Sequence, residues 1–106
     1  MTSQKITIKA RKTGEVLASG DEPQQVKRFE GNLYFDPTTV NHAILKVTER
    51  IYVCPYKGSC YWVDLENQDE QAKNVAWVYQ QPKKGYEHIK DQYGFYAGTR
   101  AATVEE

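Results

Sequence analysis

The residues best suited to chemistry or ligand binding lie close together between positions 52 and 62. This stretch, YVCPYKGSCYW, combines three tyrosines, a tryptophan, two thiols and Lys57 around a turn that contains Pro and Gly. A lysine held among aromatic rings is desolvated, which predicts a lowered amine pKa, and its ammonium can bind a phosphate or a carboxylate. The alternative is a solvated surface lysine with core aromatics behind it.

The cysteines and histidines could together supply a metal site. Cys54, Cys60, His42 and His88 match the four-ligand count of structural zinc, but the cysteines lack the usual Cys-x-x-Cys spacing. A Cys54 thiolate activated by a histidine is the nucleophilic alternative, and a small buried hydrophobe is the structural one. We expect no metal, and we expect both cysteines to be free thiols because the compartment is predicted to be reducing.

Asp64 and Glu66 are two positions apart on a predicted strand and therefore share one of its faces. Two carboxylates in this arrangement can hold Mg²⁺ for phosphoryl or nucleotidyl transfer. Gly58 and Ser59 lie just upstream, as a Gly-Ser element does in polymerase-type nucleotidyltransferases, where a much longer helical spacer precedes the carboxylates. The alternative for Asp64 and Glu66 is a solvated strand end.

Aromatic residues recur on the predicted strands. Such side chains first explain a hydrophobic core. Because the Tyr hydroxyl and the Trp ring N–H need polar partners, a core rich in them often borders a crevice or an interface. The aromatic positions are Tyr34, Phe35, Tyr52, Tyr61, Trp62, Trp77, Tyr79, Phe95 and Tyr96.

Length and charge limit the class of protein. The chain has 106 residues, with 14 Lys plus Arg and 14 Asp plus Glu. This length predicts a single domain over residues 1–106, and the zero net charge disfavours a general attraction to nucleic acid or to anionic membranes. Apolar runs such as residues 51–53 and 75–78 are far too short to span a bilayer. The polar start lacks the apolar segment of a secretory signal, which predicts a cytoplasmic protein.

The elements that must position these residues are mostly short strands. Thr38 or Thr39 could cap a helical turn that continues to residue 45, and residues 88–90 favour a second turn. Residues 101–106 are predicted to fray. Together the pattern predicts a mainly β fold, a small antiparallel two-sheet domain with one or two short helical turns. Runs bounded by Gly and Pro predict strands at residues 5–10, 15–18, 26–29, 32–35, 50–54, 61–65, 75–79 and 93–96.

Several short motifs follow one another in a characteristic order. They are Glu30-Gly31-Asn32, Tyr34-Phe35, Cys54-Pro55-Tyr56-Lys57-Gly58, Ala76-Trp77, Tyr79, Pro82 and Phe95-Tyr96. Over about residues 14–96 the chain resembles the domain of unknown function numbered 427, which also carries a nucleotidyltransferase label. The resemblance implies a compact β-tent fold, in which two antiparallel sheets meet along one edge, and it implies no activity.

The leading hypothesis is a binding module, without catalysis or only weakly catalytic, that holds a small anionic or zwitterionic ligand in an aromatic crevice. Lys57 and Glu30 would be its polar groups. One alternative is a Mg²⁺-dependent nucleotidyltransferase-like enzyme, and another is a protein interaction module. The chain is expected to be a monomer or a weak homodimer. No cofactor is expected. The candidate ligand-binding residues are Glu30, Tyr34, Cys54, Tyr56, Lys57, Tyr61, Trp62, Trp77 and Tyr79.

Overall fold

The computed structural model describes residues 4–106. Within that range the chain forms nine strands and two short 3-10 turns, at Pro37–Thr39 and Glu87–Ile89. No helix in this part of the chain has the length and apolar character needed to cross a membrane. The strands are β1 (Gln4–Ala10), β2 (Val16–Glu22), β3 (Val26–Phe29), β4 (Asn32–Phe35), β5 (Leu45–Cys54), β6 (Gly58–Glu66), β7 (Gln71–Val78), β8 (Tyr93–Tyr96) and β9 (Thr103–Glu105).

The strands form two antiparallel sheets, which confirms the predicted mainly β, two-sheet fold. The small sheet has the order β2-β1-β9, and the large sheet has the order β3-β4-β8-β7-β6-β5. Strands that follow each other along the chain pair as hairpins in most cases, whereas β4 pairs with β8 across a long connection. The large sheet therefore brings residues near position 34 beside residues near position 94.

The main core is built from one face of each sheet. Ile6 and Ile8 of β1 are buried, as their alternation with polar residues predicts, and they belong to the same cluster as Leu33 and Phe35 of β4. The Phe35 ring packs edge to face on the ring of Phe95, with their centroids 5.5 Å apart. A second buried cluster contains the residues that alternate with these, so both faces of the large sheet are covered with apolar side chains.

The predicted helical turn over residues 38–45 is wrong in place and in extent. Asp36 begins the turn, because its Oδ1 accepts a hydrogen bond from the Thr38 backbone N–H at 2.9 Å, and Pro37 fits the first turn position. The turn ends at Thr39, and Leu45 already starts β5. The threonines therefore lie inside the turn that they were predicted to cap.

The C-terminal tail is also not frayed as predicted. Thr103–Glu105 forms β9, in which Ala10 pairs with Thr103 and Ile8 pairs with Glu105. Thr103 is buried, and Arg28 Nη2 forms an ion pair with Glu105 Oε2 at 3.1 Å. Terminal residues are ordered when a sheet holds them, and the free edge of β1 offers that pairing.

Candidate ligand-binding site

The outer face of the large sheet, opposite the main core, carries a second cluster that is rich in aromatic residues. Side chains alternate across a strand, so Leu33 and Phe35 point into the main core while Tyr34 between them points outward. Ala76 and Val78 likewise flank Trp77. The period-two pattern therefore gives one sheet two apolar faces, and Tyr34 and Trp77 lie on the outer one.

A cavity of about 340 Å³, here called the aromatic crevice, opens on this outer face. Buried side chains form its floor, and the partly exposed rings of Tyr52, Trp62 and Tyr96 form its rim. Six of its lining residues are aromatic. The complete lining is Asn32, Tyr34, Tyr52, Lys57, Cys60, Trp62, Trp77, Tyr79 and Tyr96.

Gly94 makes the crevice floor possible. In the sheet register this residue lies between Tyr34 on one side and Trp77 on the other. A Cβ atom at position 94 would lie only 2.3 Å from Trp77 Nε1, so the indole occupies the space that any other residue would fill. Across this gap Trp77 Nε1 donates a hydrogen bond to Tyr34 Oη at 3.1 Å. Because Gly94 has no side chain, Trp77 of β7 can contact Tyr34 of β4 across β8.

Trp77 is the central ring of the crevice. Its ring centroid lies 6.2 Å from that of Tyr34, 6.2 Å from that of Trp62 and 4.9 Å from that of Tyr96, with edge-to-face geometry in each pair. This geometry is favoured by the quadrupoles of aromatic rings. Three walls of the crevice are therefore fixed by contact with one indole.

One end of the crevice carries a charged pair. Lys57 Nζ donates a hydrogen bond to Glu30 Oε1 at 2.5 Å, and the Lys57 side chain is 16% exposed. Glu30 and Gly31 form the two-residue turn between β3 and β4, with φ values of 53° and 82°. A hairpin turn of this kind favours Asn or Gly at its first position, so Glu30 adopts an uncommon backbone conformation. That conformation holds its carboxylate beside Lys57.

The sequence-based prediction of a lowered Lys57 pKa is wrong in direction. Burial does lower this pKa, but the hydrogen bond that Lys57 donates to Glu30 and the electrostatic interactions with Cys54 and Glu30 outweigh it and raise the pKa above the ordinary lysine value. The prediction considered desolvation without a carboxylate partner. Lys57 is consequently protonated and positively charged at neutral pH.

The two thiols and two tyrosines beside Lys57 differ in how easily they ionise. Both cysteines are free and buried. Backbone N–H groups of the turn at Lys57 and Tyr56 lower the pKa of Cys54, whereas burial raises the pKa of Cys60. Burial also raises the pKa of Tyr34 and, by a large amount, that of Tyr79. The crevice floor therefore keeps neutral hydroxyl groups that can donate or accept hydrogen bonds.

The predicted site residues separate into three groups. Glu30 contacts Lys57, and Cys54 belongs to the buried cluster beneath the crevice. Tyr56 is 74% exposed on its turn, and Tyr61 packs against the main core on the opposite face of β6, so neither lines the crevice. The predicted residues that do line it are Tyr34, Lys57, Trp62, Trp77 and Tyr79.

Four lining residues were absent from the predicted set. Tyr52 and Tyr96 were recognised as strand aromatics, and alternation from Tyr34, Cys54 and Gly94 could have placed Asn32, Tyr52 and Tyr96 on the outer face. Cys60 pairs with Tyr52 in the β5–β6 register. The missing signal was the pairing of β4 with β8, which places Asn32 beside Tyr96 and Tyr34 beside Gly94.

Asp64, which in the enzyme alternative binds Mg²⁺ together with Glu66, is hydrogen-bonded to protein groups. Arg50 Nη2 donates to Asp64 Oδ1, and the Asn74 backbone N–H donates to the same oxygen at 3.0 Å. Within residues 4–106 no group of three or more His, Cys, Asp or Glu side chains is arranged to hold a metal ion. The hypothesis of Mg²⁺-dependent transfer at Asp64 and Glu66 stays a prediction without a supporting contact.

The fold and the crevice define a small two-sheet β domain with an aromatic outer face. The chain belongs to the family described as Domain of unknown function (DUF427), whose family model matches residues 1–106. The predicted family is thereby confirmed, over a longer stretch than the motifs cover. No match to the chain is found among curated proteins.

Replacing Gly94 with alanine should displace the Trp77 indole. The new Cβ would meet Trp77 Nε1 at 2.3 Å, so the ring must move and its hydrogen bond to Tyr34 must break. We expect Gly94→Ala to lower the free energy of unfolding by about 2 kcal/mol, measured by urea denaturation. In a Trp77→Phe background the same change should cost less, because the indole atoms are gone. An equal cost in both backgrounds would contradict this explanation.

The raised pKa of Tyr79 predicts a loss of stability in alkali. Its pKa in the folded protein lies above the value of about 10 in the unfolded chain, so its stabilising contribution is complete below that pH and declines as the pH rises further. Urea midpoints measured from about pH 9 to pH 11 should therefore fall more steeply for the wild-type protein than for Tyr79→Phe. Parallel curves would show that Tyr79 titrates as a free tyrosine.

Proposed function

We propose that this domain is a binding module that holds a small anionic or zwitterionic molecule in the aromatic crevice. The observation that carries the proposal is a cavity of about 340 Å³ with six aromatic lining residues and a Lys57–Glu30 pair at one end. Ligand pockets in proteins typically combine apolar and aromatic walls with a few polar groups that fix orientation. The volume suits a molecule of metabolite size.

The Lys57–Glu30 pair provides recognition of both signs of charge. A lysine ammonium has three N–H donors, and Glu30 uses one of them, so the others can bind a carboxylate or a phosphate. The Glu30 carboxylate, 48% exposed, can accept from a ligand ammonium group. A zwitterionic ligand would therefore satisfy both side chains and leave neither charge unpaired.

The aromatic walls provide surface for the rest of the ligand. Trp62 and Tyr96 stand at the rim on either side of the buried Trp77 ring. Flat or cationic groups bind well between such rings, through stacking and through attraction of positive charge to the ring face. The crevice thus supports ligands that combine a flat body with a charged end.

Substitution of Lys57 should weaken binding without unfolding the protein. In a ligand-detected NMR screen of nucleotides and common metabolites, with and without Mg²⁺, we expect hits whose affinity falls about tenfold or more in Lys57→Ala, because a charge-assisted hydrogen bond is lost. Lys12→Ala, which removes an exposed charge from the turn after β1, is the matched control and should bind as the wild type does.

The same screen can refute the proposal. Hits that bind Lys57→Ala and the wild type equally would exclude Lys57 from recognition, and the absence of any hit would count against a metabolite-binding module. Binding of a nucleotide only with Mg²⁺ would instead favour the nucleotidyltransferase-like alternative. A urea midpoint for Lys57→Ala close to that of the wild type would exclude unfolding as the cause of lost binding.

One observation favours the interaction-module alternative. β5 is an edge strand of the large sheet, and it exposes Ile51 by 54% and Val53 by 64%. A long apolar edge strand offers free backbone hydrogen-bonding groups, and a second copy of the chain could pair with it about a two-fold axis. Light scattering should then show a mass that rises with concentration and falls to the monomer value in Val53→Lys. A constant monomer mass would exclude self-pairing.

A further inference from the structure

A second cavity, of about 360 Å³, lies next to the aromatic crevice and shares the Tyr96 side chain with it. Its polar lining consists of Lys73 and Asn74 of β7 together with Arg100 and Thr103 of the C-terminal segment. We call it the basic cavity, because its lining contains two cationic side chains and no carboxylate.

The two cations of the basic cavity are not used in ion pairs. Among residues 4–106, ion pairs engage Lys57 with Glu30 and Arg50 with Asp64 near the two cavities, and no ion pair includes Lys73 or Arg100. Asp64, which accepts from the Asn74 backbone N–H, is paired with Arg50, and Glu105 of the C-terminal segment is paired with Arg28. The positive charge of the basic cavity is therefore available to a ligand.

Arg100 is held in place while its outer nitrogens stay available. Its guanidinium carbon lies 5.1 Å from the centre of the Tyr96 ring, and its Nε donates to the Ala97 carbonyl oxygen at 3.2 Å. The Arg100 backbone N–H also donates to the Thr103 carbonyl oxygen at 2.8 Å. A guanidinium fixed in this way loses little entropy when its remaining N–H groups bind an oxyanion.

Asn74 provides a further neutral donor. Its Oδ1 accepts a hydrogen bond from Arg50 Nη2 at 2.9 Å, so the amide nitrogen is the end of this side chain that remains free to donate. The backbone of Asn74 has a φ of 58° and is bonded to Asp64, which fixes the side chain's position. Cations and neutral donors together are the groups that bind phosphate.

Tyr96 connects the two cavities physically. One of its neighbours is the Trp77 ring, 4.9 Å away between centroids, and another is the Arg100 guanidinium. A molecule with its flat part in the aromatic crevice would thus reach cationic groups by extending past a single ring.

We propose that the basic cavity is an anion subsite for a phosphate group, and that the ligand of the aromatic crevice is a flat ring compound that carries this phosphate. The anion subsite itself depends on Lys73 and Arg100 and does not require the proposed function of the crevice. The second part of the proposal, a single ligand for both cavities, rests on the proposed function of the crevice. The two charges match a phosphate dianion better than a single carboxylate.

Inorganic phosphate tests the subsite directly. In the ¹⁵N-labelled full chain we expect saturable NMR shifts at Lys73, Asn74 and Arg100, weaker shifts with acetate, and at least tenfold weaker phosphate binding in a Lys73→Gln, Arg100→Gln double variant. The control, Lys12→Gln with Lys84→Gln, removes the same charge from exposed loops. Shifts that are absent, or that weaken equally in both double variants, would overturn the subsite.

Adenosine 5′-monophosphate tests whether one molecule spans both cavities. It should bind at least tenfold more tightly than inorganic phosphate, and Trp62→Ala should remove that gain, since the ring would lose its stacking partner. A nucleotide that binds no more tightly than phosphate would overturn the proposal of a single ligand. Crevice hits that bind the Lys73 and Arg100 double variant unchanged would leave the proposed function intact while the subsite fails.

Discussion

The close approach of the Trp77 indole to the backbone of Gly94 is the contact on which the outer face of the sheet depends. Because position 94 has no side chain, one large ring crosses β8 and reaches the hydroxyl of Tyr34 on the far strand. The same ring packs against Trp62 and Tyr96. A buried indole N–H needs an acceptor, and Tyr34 is that acceptor. The ring packing, the buried hydrogen bond and the shape of the crevice therefore all depend on the contact between Trp77 and Gly94.

The large sheet has two apolar faces, of which one forms the main core and the other must be shielded from water in a different way. The main core needs only the face that carries Leu33, Phe35 and Phe95, and the small sheet belongs to the same core. Within residues 4–106 no second sheet covers the outer face, so its aromatic residues cover one another and leave a crevice between them. Tyr and Trp suit that position, since their polar atoms remain satisfied beside water.

Local patterns predicted the strands well wherever breakers bound them. β4 was predicted with its observed limits, because Gly31 precedes it and the Asp36-Pro37 turn follows it. β5 was predicted to begin at Arg50, whereas it begins at Leu45. Polar residues at 48–50, where the register with β6 shifts, hid the alternation. The prediction for the C-terminal tail was wrong for a different reason, since β9 forms by pairing with β1, which is distant in sequence.

The sequence predicted which residue types form the site, but it did not predict which of these residues contact each other. Motifs in separate turns named Lys57 and Glu30 as polar groups, yet their contact joins residues 27 positions apart, and the direction of the Lys57 pKa shift depends on it. Charge shows the same limit, because a net charge of zero describes the whole chain and not its local pairing. Folding pairs Lys57 with Glu30 and leaves Arg100 beside Tyr96 without a carboxylate. The charge of Lys57 is thus shared between Glu30 and any ligand, and the hydrogen bond from the Arg100 backbone N–H to the Thr103 carbonyl oxygen ties Arg100 to β9.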